Sequence, residues 1–286
     1  MKELLDAQLS TASKENLDDI WLPTVDGASG FLPEAPSKLI QEGRFANVKT
    51  MIGWCEDDGS RFVPTITNGK GTEEFAQSYL PGFSKKHITH LLSLYPASEF
   101  RDSLYPNGSI AYPAQQHRAA RILRDIVFTC QPISLGSALA KAGNDVYLYA
   151  QNKTLYTPLL EKAGLYGYGV IHTSELGFIF GNTTNPELKA LLQVTPAEIK
   201  LAMEESRSWS SFTATGSPST GDGSLQGWER ANFGDQNYGI YVIGGSNAGY
   251  AGSDGDQAAK QALAAEKLQA RCEFLNRPEI IKELQY

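Results

Sequence analysis

The sequence is poor in the residues that build metal and redox sites. Its three cysteines, Cys55, Cys130 and Cys272, are scattered and form no Cys-x-x-Cys pair, which excludes the common zinc modules. There are four histidines. His87 and His90 make a His-x-x-His pair on a helical stretch, but no third ligand accompanies them, so no metal and no cofactor is expected. Positive charge is scarce as well. Lys and Arg total 25 against 32 Asp and Glu, a formal net charge of -7, which leaves no basic stripe for a nucleic acid. No run approaches the roughly 18 apolar residues of a membrane span. The N-terminal MKELLDAQLSTASKENLDD lacks the apolar core of a signal peptide. That points to a cytoplasmic protein, or to a secreted one whose true N-terminus lies upstream.

What is present is ordinary globular composition, 41% hydrophobic and 20% charged over 286 residues, enough for one large α/β unit. Met1 to Asp19 reads as a short helix and a polar linker. A Pro/Gly-rich stretch follows, in which Pro23, Pro33 and Pro36 forbid long elements and Ser37 caps a short helix ended by Gly43. Val48 to Trp54 is a short apolar, β-branched run, hence a buried strand. Asn68 to Thr72 lacks the spacing of a phosphate loop and reads as a turn. Helical spacing covers Gly71 to Ser98, Ala114 to Cys130, Ile133 to Ala142, Thr195 to Thr215 and Ala258 to Leu275, continuing at Glu279 to Leu284 after Pro278. Asp145 to Gln151 and Tyr238 to Ile243 read as strands. Gly216 to Gly255 otherwise reads as surface loops. Helices alternating with strands argue for α/β.

Two stretches carry chemistry. VKTMIGWCEDDGSRF, Val48 to Phe62, ends a strand and places Glu56, Asp57 and Asp58 on a turn, where open α/β sheets carry their ligands. GYGVIHTSELGFIFG, Gly167 to Gly181, puts His172 after a short apolar run. A catalytic histidine needs an aimed carboxylate to fix its tautomer. A tight turn serves better than an open helix, and Asp58 stands directly before Gly59, which lets the chain fold back. Trp54 and Cys55 read as packing residues. Tyr147, Tyr149, Phe178 and Phe180 read as sheet core rather than as an acyl-pocket wall.

These and other segments resemble the type-B carboxylesterase family, which includes cholinesterases, fungal lipases and fungal carboxylesterases. WLPTVDG (Trp21 to Gly27) resembles the family's F-x-P-x-x-D-G. The strand ending in DDG resembles its acid strand, and GVIHTSELGFIFG its histidine motif. SWSSFTATGSP resembles W-x-x-F-A-x-x-G-x-P, with Thr213 in place of Ala. RCEFLNRPEII resembles the closing C-x-F-W, with Leu275 in place of Trp. The resemblance runs from about Trp21 to the C-terminus and corresponds to the family's C-terminal half. It implies the C-terminal portion of an α/β-hydrolase fold, a partial, mostly parallel sheet with flanking helices, forming one partial domain over residues 1–286. It further implies His172 as the triad histidine and Asp58 as the acid, where most members have Glu. Glu56 and Asp57 are the alternatives, and Glu175 is a polar residue behind the histidine. A disulfide between Cys130 and Cys272 is also implied.

The nucleophile is what the sequence lacks. The elbow Gly-x-Ser-x-Gly is not matched by GASG, GGSNAG or AGSDG, and no HGG-type run offers an oxyanion hole. The expectation is a carboxylic ester hydrolase lineage acting on small-molecule or lipid esters when complete. This chain alone should be inactive, and it should depend on an N-terminal half or a partner chain for stability. A non-catalytic esterase-like module and a truncated gene product are the alternatives. Three Asn-x-Ser/Thr triplets, at Asn107, Asn152 and Asn182, matter only if the chain is secreted.

Overall fold

The computed structural model describes residues 2–15, 24–181, 183, 185–221 and 223–284. Two compact units are present, residues 1–45 and 46–285. In the first, helices cover Lys2–Glu15 and Pro36–Gln41. Between them both carboxylate oxygens of Asp26 accept backbone N–H groups, those of Phe31 and Leu32, at 2.8 Å. Trp21, Leu22 and Pro23 of the WLPTVDG motif lie outside the described residues. The short helix is not capped by Ser37: Pro36 occupies its first turn, with Ala35 as the N-cap. Proline's fixed φ and missing N–H suit that position, so the N-cap moves two residues upstream, from Ser37 to Ala35.

The second unit is built on a four-stranded sheet. Its strands in chain order are β1 (Thr50–Cys55), then β2 (Ser103–Leu104) and β3 (Ile110–Tyr112), which form a separate hairpin, then β4 (Val146–Gln151), β5 (Ile240–Ile243) and β6 (Gly249–Tyr250). The sheet order is β1-β4-β5-β6. The first two pairings are parallel, with Cys55 opposite Gln151 and Ala150 opposite Val242, and β6 is antiparallel. Two-residue periodicity divides the side chains between the faces. Tyr147, Tyr149 and Tyr241 pack with Leu201, Trp209 and Phe212 of the helix Pro196–Thr215. That helix starts with a full capping box, Thr195 with Glu198, and ends at Gly216 in the left-handed region. Leu225 and Trp228 also enter this core, so the stretch after Gly216 is not merely surface loop.

Three helical boundaries differ from the sequence expectation. The Asn68–Thr72 turn is the start of a helix, Gly69–Tyr79, whose first turn is capped by the Asn68 side chain accepting from Gly71 N. The segments Ala114–Arg124 and Cys130–Lys141 are joined by a π turn at Asp125–Thr129 rather than separated. Pro132 sits just beyond the wide turn, the kind of place where a helix tolerates the lost donor. The expected long helix from Ala258 is broken, with Gln257–Glu266 and Leu268–Leu275 separated by Lys267 at φ 53°. The break aims Glu266 at Arg124 and lets Lys267 and Arg271 both reach Glu99. Cys130 and Cys272 are joined by a disulfide, fixing the π-turn junction to the C-terminal helix pair.

Candidate functional site

At the C-terminal end of β1 the chain turns through Glu56, Asp57, Asp58 and Gly59. A Cβ on Gly59 would collide with the carbonyl of Ala120. The glycine is therefore required by close approach to the helix Ala114–Arg124, and its φ is not in the left-handed region. The histidine loop, residues 167–175, lies against this turn and is tied to it at three points. Asp57 N–H donates to Val170 O at 3.0 Å while Val170 N–H donates to Asp57 Oδ2 at 2.9 Å. His172 Nδ1 lies 2.8 Å from Asp58 Oδ1. The Cys55 thiol donates to Glu175 Oε2 at 2.9 Å. Gly169 (φ 69°) allows the approach, since a side chain there would strike Asp57.

The three carboxylates thus separate by role. Only Asp58 meets the histidine. Asp57 holds the loop backbone, and Glu56 turns away to Arg121 at 3.0 Å. Asp58 is buried, at 3% exposure. Burial raises its carboxyl above the ordinary value, while the Cys55 N–H (2.7 Å to Oδ2) and His172 pull it back toward the ionised form. The imidazole is 41% exposed. Its ring centroid lies 4.8 Å from that of Phe128 and 5.6 Å from that of Phe62. Phe128 belongs to the π turn, one of the places where such turns serve a site. Thr173, the next residue, is held at φ 71°, a region that a β-branched residue rarely occupies. Among the described residues no hydroxyl hydrogen-bonds His172 Nε2.

Glu175 does not touch His172 or Asp58 by hydrogen bond. It acts on them through Cys55, whose backbone N–H clamps Asp58. Burial, with Asp58 and Glu175 nearby, pushes the Cys55 thiol far up, so it is a donor rather than a nucleophile. Phe178 is buried and Phe180 exposed. Tyr149 packs edge-on against Trp209 and Trp228. The aromatic stripe therefore divides between core and surface.

Behind the acid turn runs a chain of alternating charges, half-buried at Glu56 and Arg121 and buried at Arg124, Asp125 and Glu266, that the sequence does not announce. Glu56 meets Arg121, Arg121 meets Glu266 (3.3 Å), Glu266 meets Arg124 (2.7 Å), and Arg124 meets Asp125 (2.6 Å). Asp125 also accepts from the Tyr95 hydroxyl at 2.8 Å. Partners up to 145 positions apart leave no local signature. Cavities of about 230 and 240 Å³ flank the Glu56–Arg121 pair, and neither is lined by His172. No group of three or more metal-ligating side chains occurs among the described residues, and none of their helices is long and apolar enough to cross a membrane. His87 pairs with Glu283 at 2.7 Å, and His90 packs edge-on against Phe274.

A model of the carboxylesterase family matches residues 1–269. A secreted lipase of Arthroderma benhamiae is 38% identical over 274 residues, covering 95% of this chain and 46% of the lipase. An inactive carboxylesterase-like protein of Byssochlamys spectabilis is 30% identical over 293 residues, covering 98% of this chain and 48% of that protein. The chain therefore spans about half the length of these curated relatives. The crystal structure of Aspergillus niger EstA superposes with a TM-score of 0.62 at 21% identity, over 88% of this chain and 46% of that one. The fold is thus that of an α/β-hydrolase, with a mostly parallel sheet and flanking helices.

Proposed function

Because the chain belongs to the carboxylesterase family, we propose that it supplies the histidine and the acid of a serine-hydrolase triad acting on carboxylic esters. The supporting observation is the contact between His172 Nδ1 and Asp58 Oδ1 at 2.8 Å, with the carboxylate's second oxygen clamped by the Cys55 N–H. A carboxylate on Nδ1 holds that nitrogen protonated and leaves Nε2 free to accept. A serine hydroxyl attacks the ester carbonyl as Nε2 takes its proton. The tetrahedral intermediate then collapses, and Nε2–H gives that proton to the departing alcohol. Water repeats the sequence on the acyl-enzyme and releases the acid. Asp58 stays ionised and stabilises the imidazolium.

The serine comes from elsewhere, since no Gly-x-Ser-x-Gly elbow occurs in the 286 residues. Among the described residues β1 pairs only with β4, so the edge of β1 away from β4 is open to a further strand up to Cys55, whose own N–H is taken by Asp58. A parallel strand added there would end next to Asp58 and His172, and we assign the nucleophile to it. The similarity to a secreted lipase favours a lipid ester among the possible substrates.

A second reading is a non-catalytic, esterase-like module. It is favoured by His172 Nε2 lacking a hydroxyl partner among the described residues, and by the inactive relative. The deciding experiment is hydrolysis of p-nitrophenyl esters, together with fluorophosphonate labelling. The chain alone should give neither turnover nor adduct. Adding a family N-terminal segment bearing the elbow should restore both, and His172→Ala should abolish the restored turnover. Restored turnover that survives His172→Ala overturns the first reading; no restoration by a properly folded complex supports the second.

A further inference from the structure

Of the three Asn-x-Ser/Thr triplets, the one at Asn182 rests on Asn182 and Thr184, which lie outside the described residues. The other two occupy opposite environments. Asn107 stands at the tip of the β2–β3 hairpin, in a turn closed by Gly108 N–H to Tyr105 O at 2.9 Å and Tyr105 N–H to Ser109 O at 2.8 Å. Pro106 presets the turn's first φ, and Gly108 takes φ 84°. Asn107, Gly108 and Ser109 are all exposed. The Asn107 Oδ1 accepts both the Ser109 N–H at 3.0 Å and the Ser109 hydroxyl at 2.7 Å. The acceptor amide and the hydroxyl that a transferase must read are therefore already side by side on a protruding tip.

Asn152 is built into the sheet instead. Its backbone N–H donates to Ile243 O at 2.8 Å. Its triplet hydroxyl, on Thr154, is buried at 6% exposure. That hydroxyl accepts from Ser174 Oγ at 2.9 Å and from Tyr156 N at 3.1 Å. Ser174 is two residues beyond His172, so this hydroxyl braces the histidine loop and is not available on the surface.

A further observation concerns the compartment. The Cys130–Cys272 disulfide is formed, and such bonds persist in the oxidising compartments where asparagine is also glycosylated. We propose that Asn107 is an N-glycosylation site and that Asn152 is not. In the reaction Asn107 Nδ2 attacks C1 of a lipid-pyrophosphate-linked oligosaccharide. The C–N bond forms, the C1–O bond breaks, the lipid pyrophosphate leaves with the electron pair, and the amide nitrogen loses one proton. Nothing is oxidised or reduced. The glycan would stand over Leu104 and Ile110, the two apolar residues that flank the tip at 53% and 54% exposure, and would shield them. The inference requires neither Asp58 nor His172 and is independent of the esterase reading.

The test expresses the full chain behind a heterologous secretory leader in yeast, whose own lipid-linked oligosaccharide is the donor. Disulfide-closed molecules are collected from both medium and endoplasmic reticulum lumen, so yield does not decide the outcome. They are treated with peptide-N-glycosidase in H₂¹⁸O, which marks each occupied asparagine as ¹⁸O-labelled aspartate. Asn107 should be labelled and Asn152 unlabelled. Asn107→Gln and Ser109→Ala should each remove that label, and Ser109→Ala does so while leaving the asparagine in place. Asn107 unlabelled in disulfide-closed molecules, or Asn152 labelled in them, overturns the proposal.

Discussion

Asp58 and His172 meet at 2.8 Å although 114 positions separate them, and the acid's other oxygen is taken by the N–H of Cys55 at 2.7 Å. The pair is therefore held from the strand side as well as from the histidine side. Asp58→Asn keeps the shape of the contact but removes the charge that selects the tautomer. In an enzyme completed by a serine-bearing segment, it should lower turnover on the order of 10⁴-fold. In the isolated chain, the downfield proton resonance of His172 Nδ1–H should disappear. If that resonance persists unchanged in Asp58→Asn, the carboxylate is not the partner that holds the ring.

Cys55 offers a separable test of its two bonds. Its backbone N–H serves Asp58, and its thiol serves Glu175. Cys55→Ala keeps the first bond and deletes the second, leaving a partly buried carboxylate short of a donor. The expected cost is about 1–3 kcal/mol of stability by urea unfolding, with the His172 Nδ1–H resonance retained. Because burial raises the thiol, Cys55 should resist iodoacetamide in the folded chain and react on unfolding. Without reductant, the denatured chain should show one free thiol, since Cys130 and Cys272 are bonded. Three free thiols in protein purified from an oxidising compartment would contradict that pairing.

How far the sequence foretells this arrangement depends on how local each determinant is. The strands β1 and β4 and the histidine loop are legible because short apolar runs and punctuating glycines sit in the same few residues that form them. The choice of Asp58 over Glu56 and Asp57 comes from the resemblance; on composition the three are equivalent. What separates them in space is Val170 for Asp57 and Arg121 for Glu56, neither of which is nearby in sequence. The break at Lys267 had no glycine or proline to mark it. It is imposed by ion pairs to Arg124 and Glu99, which lie over 140 positions away. The π turn at Asp125–Thr129 is equally silent in the pattern, because helical periodicity continues on both sides of it.

Arg124 is the most demanding member of that buried network. It is fully buried and bonded to Asp125 and Glu266. Arg124→Met leaves both carboxylates without their main cation. We expect a loss of about 3–5 kcal/mol, read as a lower urea midpoint. Replacing Arg124, Asp125 and Glu266 together by apolar residues of similar volume should cost less than the single change. A single change no worse than the triple one would show that the charges are solvated rather than buried.

Glu205 lies under the site on the helix Pro196–Thr215 and is fully buried. Its one hydrogen-bond partner among the described residues is the Gln151 amide at 3.4 Å, and no cation there pairs with it. Burial raises its carboxyl well above the ordinary glutamate value of 4.5, with the charge of Glu175 adding to the rise. The sign follows from proton counting. Above pH 4.5 the unfolded chain releases this proton while the folded chain keeps it, so the unfolded state binds fewer and stability falls as pH rises. The fall continues until the raised folded value of Glu205 is passed. Glu205→Gln removes one titrating group while keeping the amide's hydrogen bond and the volume. It should raise the urea midpoint at about pH 8, where the wild-type chain is penalised, and change it far less at about pH 4, where Glu205 is mostly protonated in both states. A midpoint shifted equally at the two pH values would mean that packing, not the proton, decides the role of Glu205.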